Sequence, residues 1–515
     1  MTADTLTFKR VAVSVLSVSL LLSHLAAVAS PGPLTGPSVQ DLPDIGSPAD
    51  AVLTTAEEHE VGIMMMRELR DAGLLVENPE LSEYIQDIGQ RLASHAQEGD
   101  RRFSFFLIKE PGINAFAVPG GFVFVNSDLI LATTSESELA GVLAHEISHV
   151  TQRHAVRGVL QASHASLAST AAMLLAILVG AASRSSDAAM AGVTIGQGAA
   201  AQQQLNFSRE DEYEADRIGI GVMANAGYDP TAMATFFETL GRRMGNYGKN
   251  AKIIELLQNH PLTSARVAEA KNRAAKYPTV RPVDSVSYRL ARERLRVMSL
   301  TSESDPRLVY ADTLFKDDAV ADYRHFGRAL GLIQANSPAE ASPILQDLVN
   351  RHPDVIEYHS ALGQSLLAEG DISRSRQVLA RAKELFPRNG PVTMRYAETL
   401  MRSDEPKLAH AVLLDLFNTV APSQSQVRVI ALAASASGDE AEANYYMAEY
   451  QLLSGELTLA IETLRLALTS PTITPVQRSR FKARIDELKE YLPPRLQAAL
   501  ERGEPLPSQM PDNRR

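Results

Sequence analysis

The chain has 515 residues, with 50 Lys and Arg against 61 Asp and Glu, giving a formal net charge of −11. That balance sets aside nucleic acid and bulk anionic lipid as partners, and no segment resembles a nucleic-acid module. There are no cysteines, so neither a disulfide nor a lipid-bearing cysteine exists, and a chain of this length buries ordinary cores without them.

Lys9-Arg10 precede an apolar stretch from Val11 to Ala29, and Ala27-Val28-Ala29 before Ser30 has the small-x-small form of a signal-peptidase site. Residues 1–29 are therefore expected to be a cleavable export signal, and 30–48, rich in Pro, Gly and Ser, a flexible start to the mature chain. An uncleaved membrane anchor is the competing reading. Ile113 to Val125 reads as a β-hairpin turning at Pro119-Gly120-Gly121.

Ser135 with Glu138 has the S-x-x-E spacing of a capping box, which predicts a helix from about Glu136. That helix carries His145-Glu146-Ile147-Ser148-His149, two imidazoles one turn apart with a carboxylate between them. Residues at i and i+4 share a helix face, so both rings can approach one metal while Glu146 reaches water beside it: half of a zinc site. His154 would lie about 140° round a continued helix from His149 and so is expected to face elsewhere.

A second apolar stretch, 165–182, is alanine-rich and interrupted by Ser166, Ser169 and Thr170. It is expected to be a helix buried beside the cleft or touching a membrane peripherally, with a transmembrane span as the alternative. The small, Gly-bearing segment 183–204 reads as a mobile lid. Ser208 is a predicted N-cap for a helix running to about Gly227, and it places Glu212 and Asp216 at i and i+4. A hydrolytic zinc holds three protein ligands, so this acidic helix is where the third is sought.

From about Ala311 the spacing changes to helix-length units. Ala341, Leu345, Leu348 and Pro353, then Leu362-Gly363, Gly370, Leu379, Ala382 and Pro387, fit a tetratricopeptide register that Ala409 and Leu413 continue. About four repeats are expected, with offsets near Gly438 and Gly455 blurring the boundaries, and a polar, disordered end from Gly503. A stacked array of this kind presents a concave face for a peptide or partner.

The His-Glu-x-x-His pentad and Ser208-Arg209-Glu210-Asp211-Glu212-Tyr213-Glu214-Ala215-Asp216 together resemble the M48 family of zinc peptidases, whose second motif reads S-R-x-x-E-x-x-x-D. By that resemblance His145, His149 and Glu212 hold one Zn2+, Glu146 is the general base, and Asp216 orients a ligand histidine. Asn259-His260-Pro261-Leu262 resembles the family's H-P element. His260 is then either an oxyanion stabiliser or an inhibitory fourth ligand, and Arg266 a structural or oxyanion-side candidate. Asn114 and Ala115 resemble the edge strand that holds substrate backbone.

The expected architecture is mainly α with a small β-sheet. A zincin-type domain over 49–276 leads through a helical linker, 277–310, to a tetratricopeptide solenoid over 311–490 and a tail, 491–515. M48 peptidases with such arrays imply a periplasmic zinc metalloendopeptidase that degrades misfolded or stalled outer-membrane proteins and assists their assembly, with the β-barrel assembly machinery as a partner of the repeats. Two other readings stay open: a repeat-based chaperone or docking scaffold with a largely silent zinc site, and an integral membrane protease using Val11 to Ala29 and 165–182 as spans.

Overall fold

The computed structural model describes residues 53–96, 102–162, 208–247, 256, 260–278, 282–301, 304–310, 318–418, 422, 424–454, 456–492 and 494–506. The expected export signal, the 30–48 segment, the 165–182 stretch and the 183–204 lid lie outside the described residues. Among the described residues no helix is long and apolar enough to cross a membrane.

Helix α1 (Thr55–Asp71) opens on a capping box between Thr54 and Glu57, and α2 (Pro79–Ala93) on Asn78, whose side chain accepts from the Leu81 amide. Three short strands follow: β1 (Ser104–Ile108), β2 (Ala115–Val118) and β3 (Phe122–Asn126), ordered β1-β3-β2 with β1 parallel and β2 antiparallel to the central β3. The predicted hairpin forms, and β2 is an edge strand. Its turn depends on glycine: Gly120 and Gly121 have φ 89° and 84°, and a Cβ on Gly121 would stand 2.1 Å from the Arg102 carbonyl oxygen.

After α3 (Ser127–Ala132), helix α4 (Glu136–Thr151) starts where the capping signal put it, with the Ser135 side chain accepting from the Glu138 amide. Every residue of α4 is buried, so its polar groups need internal partners. Glu136 accepts from Ser285 through both the backbone amide and the hydroxyl, at 3.0 and 2.7 Å. Ser148 donates to the Ala144 carbonyl. Helix α5 (His154–Ala162) follows after a sharp break, and α6 (Arg209–Asn225), capped by Ser208 as expected, lies along α4. Gly219 permits that close approach, because a Cβ there would lie 3.2 Å from backbone atoms of both Ala144 and His145. Helices α7 (Thr231–Tyr247) and α8 (Ser264–Ala274) complete this layer around the apolar core.

The linker is more than a tether. Helix α9 (Val286–Met298) buries Tyr288, Ala291 and Leu295 in the first core and Leu290 and Val297 in the next. Beyond α10 (Pro306–Val309) come α11 (Asp318–Gln334), α12 (Pro338–Arg351), α13 (Ile356–Glu369), α14 (Ile372–Leu385), α15 (Gly390–Arg402), α16 (Pro406–Phe417), α17 (Gln424–Ala436), α18 (Glu440–Leu453), α19 (Leu457–Leu468) and α20 (Pro475–Lys489). They pair into five helical hairpins among the described residues, against the four or so expected. Ala341, Leu345, Leu348, Leu362, Leu379, Ala382, Ala409 and Leu413 are all fully buried, so the repeat register is the observed one.

The end expected to be disordered, from Gly503, is packed over its first residues, 503–506. Residues 494–501 form helix α21 (Pro494–Glu501), with Leu496 and Leu506 buried against Leu457, Leu464 and Leu488. Arg465 donates to the carbonyls of Gly503 and Glu504 at 2.8 Å each. Two well-spaced leucines give even a polar, Pro-bearing end something to bury, so its order reaches Leu506. The rest of the expected disordered end, from Pro507, lies outside the described residues.

Helix α2 also docks on the repeats. Glu80 accepts from Ser360 at 2.7 Å and pairs with Arg395 at 3.2 Å and Arg294 at 3.9 Å. Burial works against its charge, but the two guanidiniums prevail and hold this carboxyl well below the usual range. Neighbouring Glu83 accepts from Asn389 at 2.9 Å, yet burial and then Asp87 push it up to about 7 from an ordinary 4.5. A carboxyl that binds its proton more tightly in the folded state stabilises that state fully below its unfolded pKa, and the contribution disappears as pH rises through about 7. Between about pH 5 and pH 8 the thermal midpoint of the wild type should therefore fall relative to Glu83→Gln, by the equivalent of on the order of 1–2 kcal/mol for a partly exposed group. Parallel melting curves of the two proteins across that range would dismiss the effect.

Candidate metal centre

Helix α4 brings His145 and His149 onto one face, and α6 brings Glu212 opposite. The Nε2 atoms of the two histidines stand 3.0 Å apart. Glu212 lies 3.6 Å from His145 Nε2 and 3.5 Å from His149 Nε2. His260 closes the group from the segment before α8, with Nδ1 2.8 Å from Glu212 Oε1 and 3.2 Å from His145 Nε2. The four residues are buried, and one ligand atom from each lies within 4.8 Å of all the others.

The groups behind this cluster set its protonation. Asp216 Oδ1 lies 2.9 Å from His145 Nδ1, and Arg266 holds Asp216 with two hydrogen bonds of 2.8 Å. Arg266 also reaches Glu212 Oε2 at 2.6 Å and donates to the Pro261 carbonyl. Burial opposes charge on Asp216, but His145 and Arg266 outweigh it and keep the carboxylate ionised. For Glu212 the same opposition is overcome by His260, then His145 and Arg266. Burial pushes His149 well below the ordinary range, and the flanking imidazoles of His145 and His260 add to the effect. A neutral imidazole facing ionised carboxylates is the donor set a divalent cation takes.

Glu146 sits beside this cluster, 1% exposed, with Oε1 3.6 Å from His260 Nε2 and that oxygen without a hydrogen-bond partner. Burial raises its pKa, while His260 and His145 pull the other way. His260 is raised to about 9: burial lowers it, but the carboxylates of Glu212 and Glu146 prevail.

The residue match is to the model "Peptidase family M48" over residues 79–274. Beta-barrel assembly-enhancing protease of Escherichia coli is 32% identical over 483 residues, covering 92% of this chain and 97% of that protein. The protein of that name from Yersinia pestis is 32% identical over 484 residues, with the same coverage of 92% and 97%. The chain belongs to peptidase family M48. A more distant relative, Mitochondrial metalloendopeptidase OMA1 of Schizosaccharomyces pombe, is 30% identical over 184 residues, 36% of this chain and 50% of that one. As an M48 peptidase the chain is a metalloprotease, and the family implies a metal, typically zinc. The residues fit one. Two ring nitrogens facing each other at 3.0 Å, with Glu212 within 3.6 Å of both, can share a cation, and the partnerless Glu146 oxygen adjoins the place it would occupy.

The remaining candidate residues fall as follows. Asn114 and Ala115 are buried, 7% and 1% exposed, at the start of the edge strand. The Asn114 carbonyl is already used by the Asn126 amide, while its side-chain Oδ1 is buried without a partner. Strand alternation then turns the Ala115 and Ala117 backbones to the outer edge, and the Ala117 amide bonds Glu146. Arg266 lies behind the carboxylates, which makes its structural reading the one the geometry favours. His154 does not join the metal group, as expected, but it stands directly behind His149, with its Nδ1 2.8 Å from His149 Nδ1. The break between α4 and α5 hides this from helical-wheel arithmetic, and only the R-H pair directly after the helix could have hinted at it.

Proposed function

We propose that this chain is an exported, periplasmic zinc endopeptidase that degrades misfolded or stalled outer-membrane proteins and aids their assembly. The observation that carries the chemistry is the convergence of His145, His149 and Glu212 with Glu146 alongside. In this reading those three residues hold one zinc ion, and Asp216 orients His145. When bound, the ion supplies Lewis acidity, polarising a scissile carbonyl and making water easier to deprotonate. Glu146 takes the proton from the attacking water and returns it to the leaving amine. Its burial, which raises its pKa, makes it the stronger base. The edge strand lays substrate backbone beside Glu146, with the Asn114 side chain as an added contact. The repeats hold the client or dock on the β-barrel assembly machinery. The name of the Escherichia coli and Yersinia pestis relatives supports the substrate class, and their similarity along nearly their whole length supports its transfer to this chain.

His260 carries a second role. It stands between Glu212 and Glu146, where a fourth ligand would close the site, so we read it as a restraint on the resting enzyme. That position also gives the scaffold reading its one specific support, a site silenced by its own side chain. The test is cleavage of an unfolded outer-membrane barrel protein by the purified mature chain and His260→Ala. Activity should rise by about tenfold or more when a closing ligand is removed. A fall of about 10²–10³-fold would instead assign His260 to the oxyanion.

A further inference from the structure

Helix α4 stops at a residue in an unusual conformation. Arg153 has φ 52°, in the left-handed region that costs a non-glycine residue on the order of 1 kcal/mol or more. The turn is held from outside: Arg153 Nε pairs with buried Glu58 at 2.6 Å, and its Nη2 donates to the Leu53 carbonyl. The reversal carries His154, 0% exposed, to the back of His149. Their rings meet edge to face at 80°, with Nδ1 facing Nδ1 at 2.8 Å. On its far side His154 Nε2 lies 3.2 Å from Glu214 Oε2 and 3.5 Å from Asp211 Oδ1. Arg157 holds those two carboxylates at 3.2 and 2.6 Å.

Two facing imidazole nitrogens at this distance share one proton, and the surroundings decide which ring owns it. Carboxylates only accept, so the His154 proton belongs on Nε2, towards Glu214. Its Nδ1 is then bare, and His149 must donate from Nδ1. That leaves the unprotonated lone pair on His149 Nε2, the atom turned towards His145 and Glu212.

We propose that His154 is a positioning residue that fixes the tautomer and ring plane of His149 through an imidazole relay ending on Glu214, and that the Glu58–Arg153 clamp places it there. The two histidines of the pentad are then oriented differently: His145 directly by the Asp216 carboxylate, His149 through a second ring. The proposal rests on the reading of His149 as a zinc ligand.

The test uses the zinc-loaded mature chain and reads zinc affinity by competition with a chromophoric chelator. His154→Leu keeps bulk but cannot accept a hydrogen bond, and it should lose about 10–100-fold in zinc affinity. His154→Gln, whose amide oxygen can accept from His149 Nδ1, should recover most of that loss. Nitrogen-15 histidine NMR of the wild type supplies a reading that no variant's folding can spoil. It should show His154 protonated on Nε2 and bare on Nδ1, with His149 protonated on Nδ1. Unchanged affinity in a folded His154→Leu, or a His154 ring protonated on Nδ1, would overturn the proposal. Equal zinc affinity in wild type and His149→Ala would instead remove the ligand assignment beneath it, which separates the two failures.

Discussion

Glu146→Gln should leave the protein folded and able to bind zinc while lowering cleavage of an unfolded protein by about 10²–10⁴-fold, the range for losing a positioned general base. The amide is close to isosteric with the carboxylate, so the buried slot beside His260 and the Ala117 amide stays filled. It cannot accept a proton at neutral pH. The ligand atoms of His145, His149 and Glu212 are untouched, so metal content measured by atomic absorption should match the wild type. Cleavage at the wild-type rate would remove Glu146 from the role of general base. Loss of zinc together with activity would mean that Glu146 supports the site rather than acting in it. The same variant separates enzyme from scaffold, because a scaffold keeps its effect on outer-membrane assembly when hydrolysis is gone.

Replacing Arg266 by Met should be the most destabilising single change at the site, by about 3–5 kcal/mol. The guanidinium is 3% exposed and contacts both Glu212 and Asp216, and it lies 5.1 Å from the Phe237 ring centroid. Without it two buried carboxylates lose the cation that offsets their desolvation, and the Pro261 carbonyl loses a donor. The loss should appear as a lower denaturation midpoint together with weaker zinc binding, since Asp216 would no longer be held against His145. Arg266→Lys should recover only part, because an ammonium cannot span both carboxylates as a planar fork does. An unchanged midpoint for Arg266→Met would show that the two carboxylates do not depend on this cation.

What the sequence made legible was local. A capping serine, an i, i+4 pair and a glycine turn each declare themselves within a few residues, so α4, the start of α6 and the β2–β3 hairpin lie where spacing put them. The repeat register was readable for the same reason, since Ala341 and Leu345 report on their own helix. Missed features depend on a backbone reversal or on distant partners. His154 is remote from His149 on a continuous helix and adjoins it only because Arg153 turns the chain, and that conformation is held by Glu58, 95 residues earlier. Arg266 read as a weak candidate because nothing near it in sequence reveals that it meets α6. The ordered tail escaped notice because its leucines find their cluster on α19 and α20.

Helix α9 gives the whole chain a property that neither half has alone. One side of it completes the core beneath the metal centre, where the Tyr288 hydroxyl lies 2.8 Å from Thr133, and the other side begins the stack of repeats. The array is therefore riveted to the peptidase instead of trailing from it. For a client gripped by the repeats, as proposed, delivery to Glu146 is governed by reach and not by the wandering of a linker, so its effective concentration at the cleft is set by its own length and looseness. A folded or short polypeptide could be held without being cut, while an unravelled one could bridge both surfaces at once. The shape of the molecule would then sort clients by how far they can be stretched, without reading their side chains.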